Sequence, residues 1–362
     1  MRKAWVVLLG GGLLVWWGFL LGRRLIGTEP LSTRPEAVAV PLAADAGPAL
    51  PEARPGTWAV SPRVSLSTGE TFDTVQAAIK AARRGQSILI PTGVYRTTGL
   101  DIWDKHDIQL LAQGGPAYFF NEERGEGQSS AALSITESRG IRVRGLWFDN
   151  GRVKLGGTVI LLSDVADVRL EQVYAGHGTG NAIMASYANG LTLEDVVCEW
   201  AEKNDFVALW PRGAVDVRRS RFLSSYGPVV FEGAANNRVN RSRVMEPRPV
   251  SLTVDQSLFS TGLSFNHPGA SLALSQSVVL SRASSDLREL EPFVPAEARL
   301  GGELEGALSP EQRTALARGQ SLLLRTRSRA SARVLSSLPG ADAVGPSETQ
   351  RAEALRALGL EP

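Results

Sequence analysis

Residues 167–189, "DVRLEQVYAGHGTGNAIMASYAN", can be written directly above residues 190–212, "GLTLEDVVCEWAEKNDFVALWPR", with Val168 over Leu191, Leu170 over Leu193, Val173 over Val196 and Ile183 over Phe206. The offset is 23 residues. A further offset of 24 sets Val215 and Val217 beneath Leu191 and Leu193 and Val230 beneath Phe206, and upstream Ile141 falls above Val168 and Val143 above Leu170. Self-similarity at this period predicts a solenoid, because one turn cannot bury its inner face until it is stacked on its neighbours. The segments "NRVNRSRV", "SLTVDQSLF" and "SLALSQSVVL" read as later turns of unequal spacing, and the pattern is lost after about Ser284.

Ahead of the repeat, Val75, Ala78, Ile79 and Ala82 share one helical face, and Asp73 and Gln76 are spaced like a capping box. Gly85 is the expected stop, and the short apolar strand "SILIP" follows. The order Phe72, Thr74, Val75, Gln76, Ala78, Ile79, then Gly85, Ile88, Ile90, Gly93 and Tyr95 resembles the N-terminal cap and first coil of right-handed parallel β-helix proteins of the pectin-lyase-like superfamily. That resemblance implies an all-β fold, a right-handed parallel β-helix with an N-terminal capping helix near Asp73 to Arg84, and contact with a polysaccharide. It implies no particular activity. The period gives about eight to ten coils over residues 57–282.

At the N-terminus an uncharged run from Ala4 to Gly22 lies between two basic pairs. It approaches the roughly 20 residues of a membrane-spanning helix, and no small-x-small cleavage site follows closely, which favours an uncleaved anchor over a cleaved signal. Residues 1–24 are therefore expected to be a transmembrane anchor, and residues 25–56, rich in Pro, Ala and Glu, a semi-extended linker. The β-helix would then be held on the extracytoplasmic side. Residues 283–362 are expected to be a partly helical or disordered tail, with helix starts at Ser309-Pro310-Glu311 and over Glu348 to Leu358.

Composition narrows the function. A formal net charge of +2, with no runs of Lys and Arg, argues against a nucleic-acid partner. The lone Cys198 cannot form an internal disulfide, and His106, His177 and His267 lack zinc-ligand spacing. Oligomeric state leaves no mark on the sequence.

The most conspicuous motif is "GHGTGN" at 176–181. A dinucleotide fingerprint would have glycine at Asn181 and open a helix, so the segment reads instead as a corner between two strands. Gly176, His177 and Gly178 resemble a motif of polygalacturonase-type glycoside hydrolases, in which the histidine supports a cluster of acidic residues. This chain lacks the paired aspartates and the Arg-Ile-Lys stretch of those enzymes, so the resemblance does not bring that activity with it. A turn histidine between two crowded glycines is the plainer account.

The register still places useful groups together. Asn150, His177 and Trp200 share one column, and Asp149, Gly176 and Glu199 the next. Two strand spacings set Asp149 and Glu199 about 10 Å apart, near the separation of the carboxylates in an inverting glycosidase. The candidate catalytic residues are Asp149, His177, Glu199, Lys203 as a base for proton abstraction beside a uronate, and Asp205. Tyr187, Trp200 and Trp210 are candidate sugar-stacking residues, Asn181 and Asn204 a candidate asparagine ladder, and Cys198 a buried, inert thiol. No metal site is defined, although Glu199, Glu202 and Asp205 carry the oxygen ligands that calcium takes. The expected function is a membrane-tethered β-helix that binds or modifies a polysaccharide or cell-envelope glycan as a lyase, epimerase or hydrolase. The alternative is a non-catalytic envelope module.

Overall fold

The computed structural model describes residues 58–122, 131–151, 157–223, 227, 229–233, 250–266, 270–281, 290, 303–304, 308–326 and 345–360. The expected anchor at 1–24, the linker at 25–56 and the segment "NRVNRSRV" lie outside them. No helix among the described residues is long and apolar enough to cross a membrane.

The chain enters through a small antiparallel cap, in which Val64–Leu66 pairs with Thr71–Phe72 and with the start of Ser87–Thr97. Helix α1 (Val75–Ala81) follows, burying Val75, Ala78 and Ile79 on the first coil as its apolar spacing predicts. Its start differs from expectation by one residue. Thr74 is the N-cap and accepts from the Ala77 N–H, so Gln76 is free to bond both backbone groups of Asp101 in the next coil. Asp73 pairs instead with Arg63.

The fold is the expected parallel β-helix. One row of strands runs Arg139–Arg144, Ala166–Glu171, Asn189–Glu194, Arg212–Arg218, Val250–Asp255 and Ala270–Ser275, each in parallel register with the next. Beside it run Leu146–Asp149, Tyr174–Gly176, Val197–Glu199, Arg221–Leu223, Leu258–Phe259 and Val278–Ser281. A second sheet stacks the remaining strand of each coil, from Leu100–Trp103 through Ile183–Ser186 and Phe206–Leu209 to Leu263–Asn266. Val168 with Leu191, Ile141 with Val168, Ile183 with Phe206 and Leu193 with Val217 are the observed partners. Val230 is a correction, since it pairs with Val207 rather than Phe206. The extra residue of that coil is absorbed by a bulge, where the partner of Asn189 is Arg212 but that of Leu191 is Val215.

Stacking dictates the core. Tyr95, Phe119, Phe148, Ala175, Cys198, Phe222, Phe259, Val279 and Leu323 lie above one another on the inner side. The rings overlap at 4.8 Å (Tyr95 and Phe119), 5.4 Å (Phe119 and Phe148) and 5.0 Å (Phe222 and Phe259). Cys198 is buried as expected. Below Phe222 the column narrows to Ala175 and Cys198, and Phe206 from the other sheet packs against Phe222 and Phe231.

Where the two strand rows meet, each coil turns through one left-handed residue: Gly145, Gln172, Asp195, Arg219, Gln256 and Gln276. That conformation is uncommon for side chains other than glycine. Bonds between coils hold it, as when Arg219 Nε donates to Asp195 Oδ1 at 2.8 Å and Gln256 Nε2 to Gln276 Oε1 at 2.8 Å. The following residue is a serine in successive coils. The N–H of Val196 donates to Ser220 Oγ, that of Ser220 to Ser257, that of Ser257 to Ser277 and that of Ser277 to Ser321, at 3.1–3.2 Å. Each of Ser220, Ser257 and Ser277 in turn donates to the carbonyl two residues back. The corner thereby satisfies amides that neither sheet reaches.

Ser321 marks a further coil. Leu322–Thr326 pairs in parallel with Val278–Ser281, so the ladder runs beyond residue 282 into the segment expected as tail. Both expected helices form there. Helix α2 (Pro310–Ala317) starts at a Ser309 capping box and packs Ala315 and Leu316 against the last coils. Helix α3 (Glu348–Ala357) starts at an equivalent box on Ser347.

Two substitutions test the stacking. Phe222→Ala is expected to lower unfolding stability by about 3–5 kcal/mol, and Ser257→Ala, which strips the acceptor from the Ser220 amide, by about 1–3 kcal/mol. Urea denaturation of each variant measures both losses.

Candidate active site

The corner "GHGTGN" is followed by the strand Ile183–Ser186 and not by a helix, which removes the nucleotide reading. Its first glycine has a packing cause. A Cβ on Gly176 would lie 2.1 Å from the Tyr174 hydroxyl, because the Tyr174 ring lies over this position. That placement lets Tyr174 Oη donate to Glu199 Oε1 at 2.8 Å, one coil on. His177 is left-handed, with φ of 57°, and its N–H donates to the Glu199 carbonyl at 3.2 Å. Gly178 faces Val159, whose Cγ2 would stand 2.9 Å from an added Cβ.

Asp149, Gly176 and Glu199 form the expected column on the outer face of the sheet. Asp149 is 1% exposed, and its carboxylate is nevertheless well supplied with donors. Tyr118 Oη donates to Oδ2 at 3.1 Å, Arg351 Nε to Oδ2 at 2.7 Å, and the Gly151 N–H to Oδ1 at 2.8 Å. His177 Nε2 stands 3.9 Å from Oδ2. Burying a carboxylate is tolerable only with such partners.

The environment sets the protonation states apart. Burial pushes Glu199 above the usual carboxylate range against the Tyr174 hydrogen bond, while Glu348 and Asp149 add to the rise and Arg351 opposes it. Burial pulls His177 below its ordinary value, with Arg351 assisting and Asp149 and Glu348 opposing. Burial, reinforced by the neighbouring carboxylates, keeps the Tyr118 and Tyr174 phenols protonated. The site thus holds a carboxyl inclined to keep its proton and an imidazole inclined to be neutral, the pairing that acid–base chemistry requires.

The structure brings together Asp149, His177, Glu199 and Trp200. Trp200 is half exposed and stacks on His177 at 6.2 Å, with 8° between the ring planes. It does not bring in the other candidates. Lys203 is exposed on the next loop, where its N–H donates to the Gly180 carbonyl, and it is not among the charges acting on His177 or Glu199. Asp205 is fully buried beside the core thiol of Cys198, because the chain turns inward ahead of Phe206. Tyr187 and Trp210 lie at a separate corner, beyond the strands of the second sheet. Their half-buried rings face each other at 4.9 Å, and the Arg212 guanidinium sits 5.9 Å from the Tyr187 centroid. Glu199, Glu202 and Asp205 do not converge, and no group of three or more metal-binding side chains occurs among the described residues. The asparagine contact forms between buried Asn121 and Asn150, at 2.5 Å, whereas Asn181 turns to the Met184 sulfur.

Tyr118, Tyr174, Glu348 and Arg351 complete the site and escaped the sequence reading. The tyrosines had a signal, since the register that aligns Asp149 with Gly176 also aligns Trp147 with Tyr174 and Tyr118 with Trp147. Arg351 had none. It arrives on α3, which lies over the outer face with Ala354, Leu355 and Leu358 packed against Tyr118, Phe120, Trp147, Tyr174 and Val197.

No protein-family model matches the chain, and no curated protein sequence does. Among solved structures it is similar to pectate lyase Pel9A, with 12% identity, a TM-score of 0.35, and 63% of this chain and 77% of that one covered. It is also similar to ORF18 of Geobacillus virus E2, with 11% identity, a TM-score of 0.22, and 57% and 58% covered. Both likenesses are distant, and the fold assignment stands on the chain's own ladders.

Arg351→Ala should cost about 3–5 kcal/mol by leaving Asp149 buried without a cation, and the loss should shrink in an Asp149→Asn background, as a double-mutant cycle would show. Glu199 and His177 should give opposite pH dependences. A carboxyl whose folded pKa is raised loses stability as pH climbs from its ordinary 4.5 through the folded value. A histidine whose folded pKa is lowered loses stability as pH falls from its ordinary 6.5 through the folded value. Melting temperatures between these limits should lose the first slope in Glu199→Gln and the second in His177→Gln.

Proposed function

We propose that the chain is a β-helix protein that binds and modifies a polysaccharide on the outer face of its long sheet, with Asp149, His177 and Glu199 as the reacting cluster. The observation that carries this reading is the pair of carboxyls two coils apart in one column, one ion-paired and one pushed toward holding its proton, with the His177 imidazole beside that column in the coil between them. In a hydrolysis, Glu199 donates its proton to the departing glycosidic oxygen, while His177 takes one from the attacking water and Asp149 steadies the resulting imidazolium. Trp200 offers a half-exposed ring edge and face to a sugar. Lyase or epimerase chemistry would use the same two proton-transfer groups. The apolar run near the N-terminus, as an anchor, would hold this domain outside the cytoplasm against the cell envelope.

The covering of this face by α3 favours a second reading, a non-catalytic envelope module. A panel of uronate-containing and neutral polysaccharides, with and without calcium, separates the two when read for new reducing ends, unsaturated products and retention. The enzyme reading expects Glu199→Gln to depress turnover at least about a hundredfold with retention nearly intact, and Lys203→Met to be neutral. Trp200→Ala should weaken retention by about 1 kcal/mol. Retention without products in the wild type favours the module, and products indifferent to Glu199 and His177 remove this cluster.

A further inference from the structure

We propose that α3 is an autoinhibitory element, which occupies the sheet face where a glycan would lie and must withdraw before the groove opens. The inference rests on the reading of that face as the glycan site.

The helix fills the groove in two ways. Ala354, Leu355 and Leu358 bury the row Tyr118, Trp147 and Tyr174, whose rings meet edge to face at 5.8 and 6.5 Å. One turn earlier, Arg351 holds Asp149 Oδ2, the same oxygen that faces His177 Nε2. Closure therefore covers the apolar floor and also engages the carboxylate that would steady a protonated His177.

The attachment is of a kind that can be undone. Helix α3 adds no strand to either sheet. Its described ties to the solenoid include the Arg351 ion pair, a hydrogen bond from Arg96 to the Leu358 carbonyl and the three apolar side chains, with Leu360 packing beside them and Gly345 lying against the Tyr174 ring. Glu348, Thr349, Arg356 and Ala357 face solvent. A helix of ten residues does not persist in water by itself, so α3 keeps its form only while docked. Its release would break no rung of the ladder and would leave every coil stacked, the condition for local rather than global opening. A ligand that needs the open form then binds more weakly by the fraction of molecules that are open.

Hydrogen exchange on the full chain tests this directly. The α3 amides are expected to exchange well ahead of Tyr174–Gly176 and Val197–Glu199. Equal protection of helix and strands would make α3 a fixed wall and overturn the proposal without help from any variant. The second measurement compares retention on the polysaccharide panel for wild type and for Leu355→Asn with Leu358→Asn, where a gain of about tenfold or more is expected if fewer than about one molecule in ten is open at rest. Equal retention by the two chains overturns autoinhibition and leaves the glycan reading standing. Retention by neither overturns the glycan reading and this inference with it.

Discussion

Everything in this molecule depends on vertical alignment, the requirement that each coil place its inner side chains on those of the coil before it at the spacing of paired strands. A lone coil has no interior, so apolar residues gain burial only from a neighbour that repeats their positions. The same requirement fixes the corners, where a left-handed residue is retained because its counterpart one coil away bonds to it, as Arg219 does to Asp195. The serine column extends this logic to the backbone, each hydroxyl accepting the amide of the coil below and donating to its own strand. Local strain and long-range order are thus one arrangement seen at two scales.

The site grows out of the same stacking. An outer column admits a carboxylate, a glycine and a second carboxylate in successive coils, and the glycine leaves room for a tyrosine ring to lie flat and reach the next coil. Tyr118 and Tyr174 are equivalent in this respect, each carrying a phenol to an acid of the neighbouring column. What the ladder cannot supply is a counter-charge for Asp149. That comes from outside the repeat, on a helix whose only sequence signature is its cap.

This division explains what could be read from the chain. The repeat fixed Val168 over Leu191 and the columns of Asp149 and His177, because a parallel ladder converts sequence offset into neighbourhood. The reading slipped by one at Val230, because the offset of 24 that a bulge after Asn189 introduces holds only as far as Glu199 and Leu223 and is back to 23 at Asn204 and Gly227. It gathered Asp205 into the site although the chain turns inward there, since an offset gives the coil position and not the direction of a side chain at a corner. The further coil at Leu322 was legible in principle: "SQSVVL" at 275–280 returns as "GQSLLL" at 319–324, with the serine of the ladder in the same place. Nothing comparable announces that Arg351 meets Asp149, because that contact obeys no period.

The separation of those two residues bears on the order in which the protein is made. Asp149 and Arg351 lie 202 positions apart, so the coil that bears the carboxylate leaves the ribosome long before its cation. Solenoid coils can stack as they emerge, each on the one before. For that interval the nascent domain carries a carboxylate without its cation, and the outer aromatic row has Trp58 against it but not α3. The arrival of α3 is what covers this face, which makes the helix a marker that synthesis has passed residue 351.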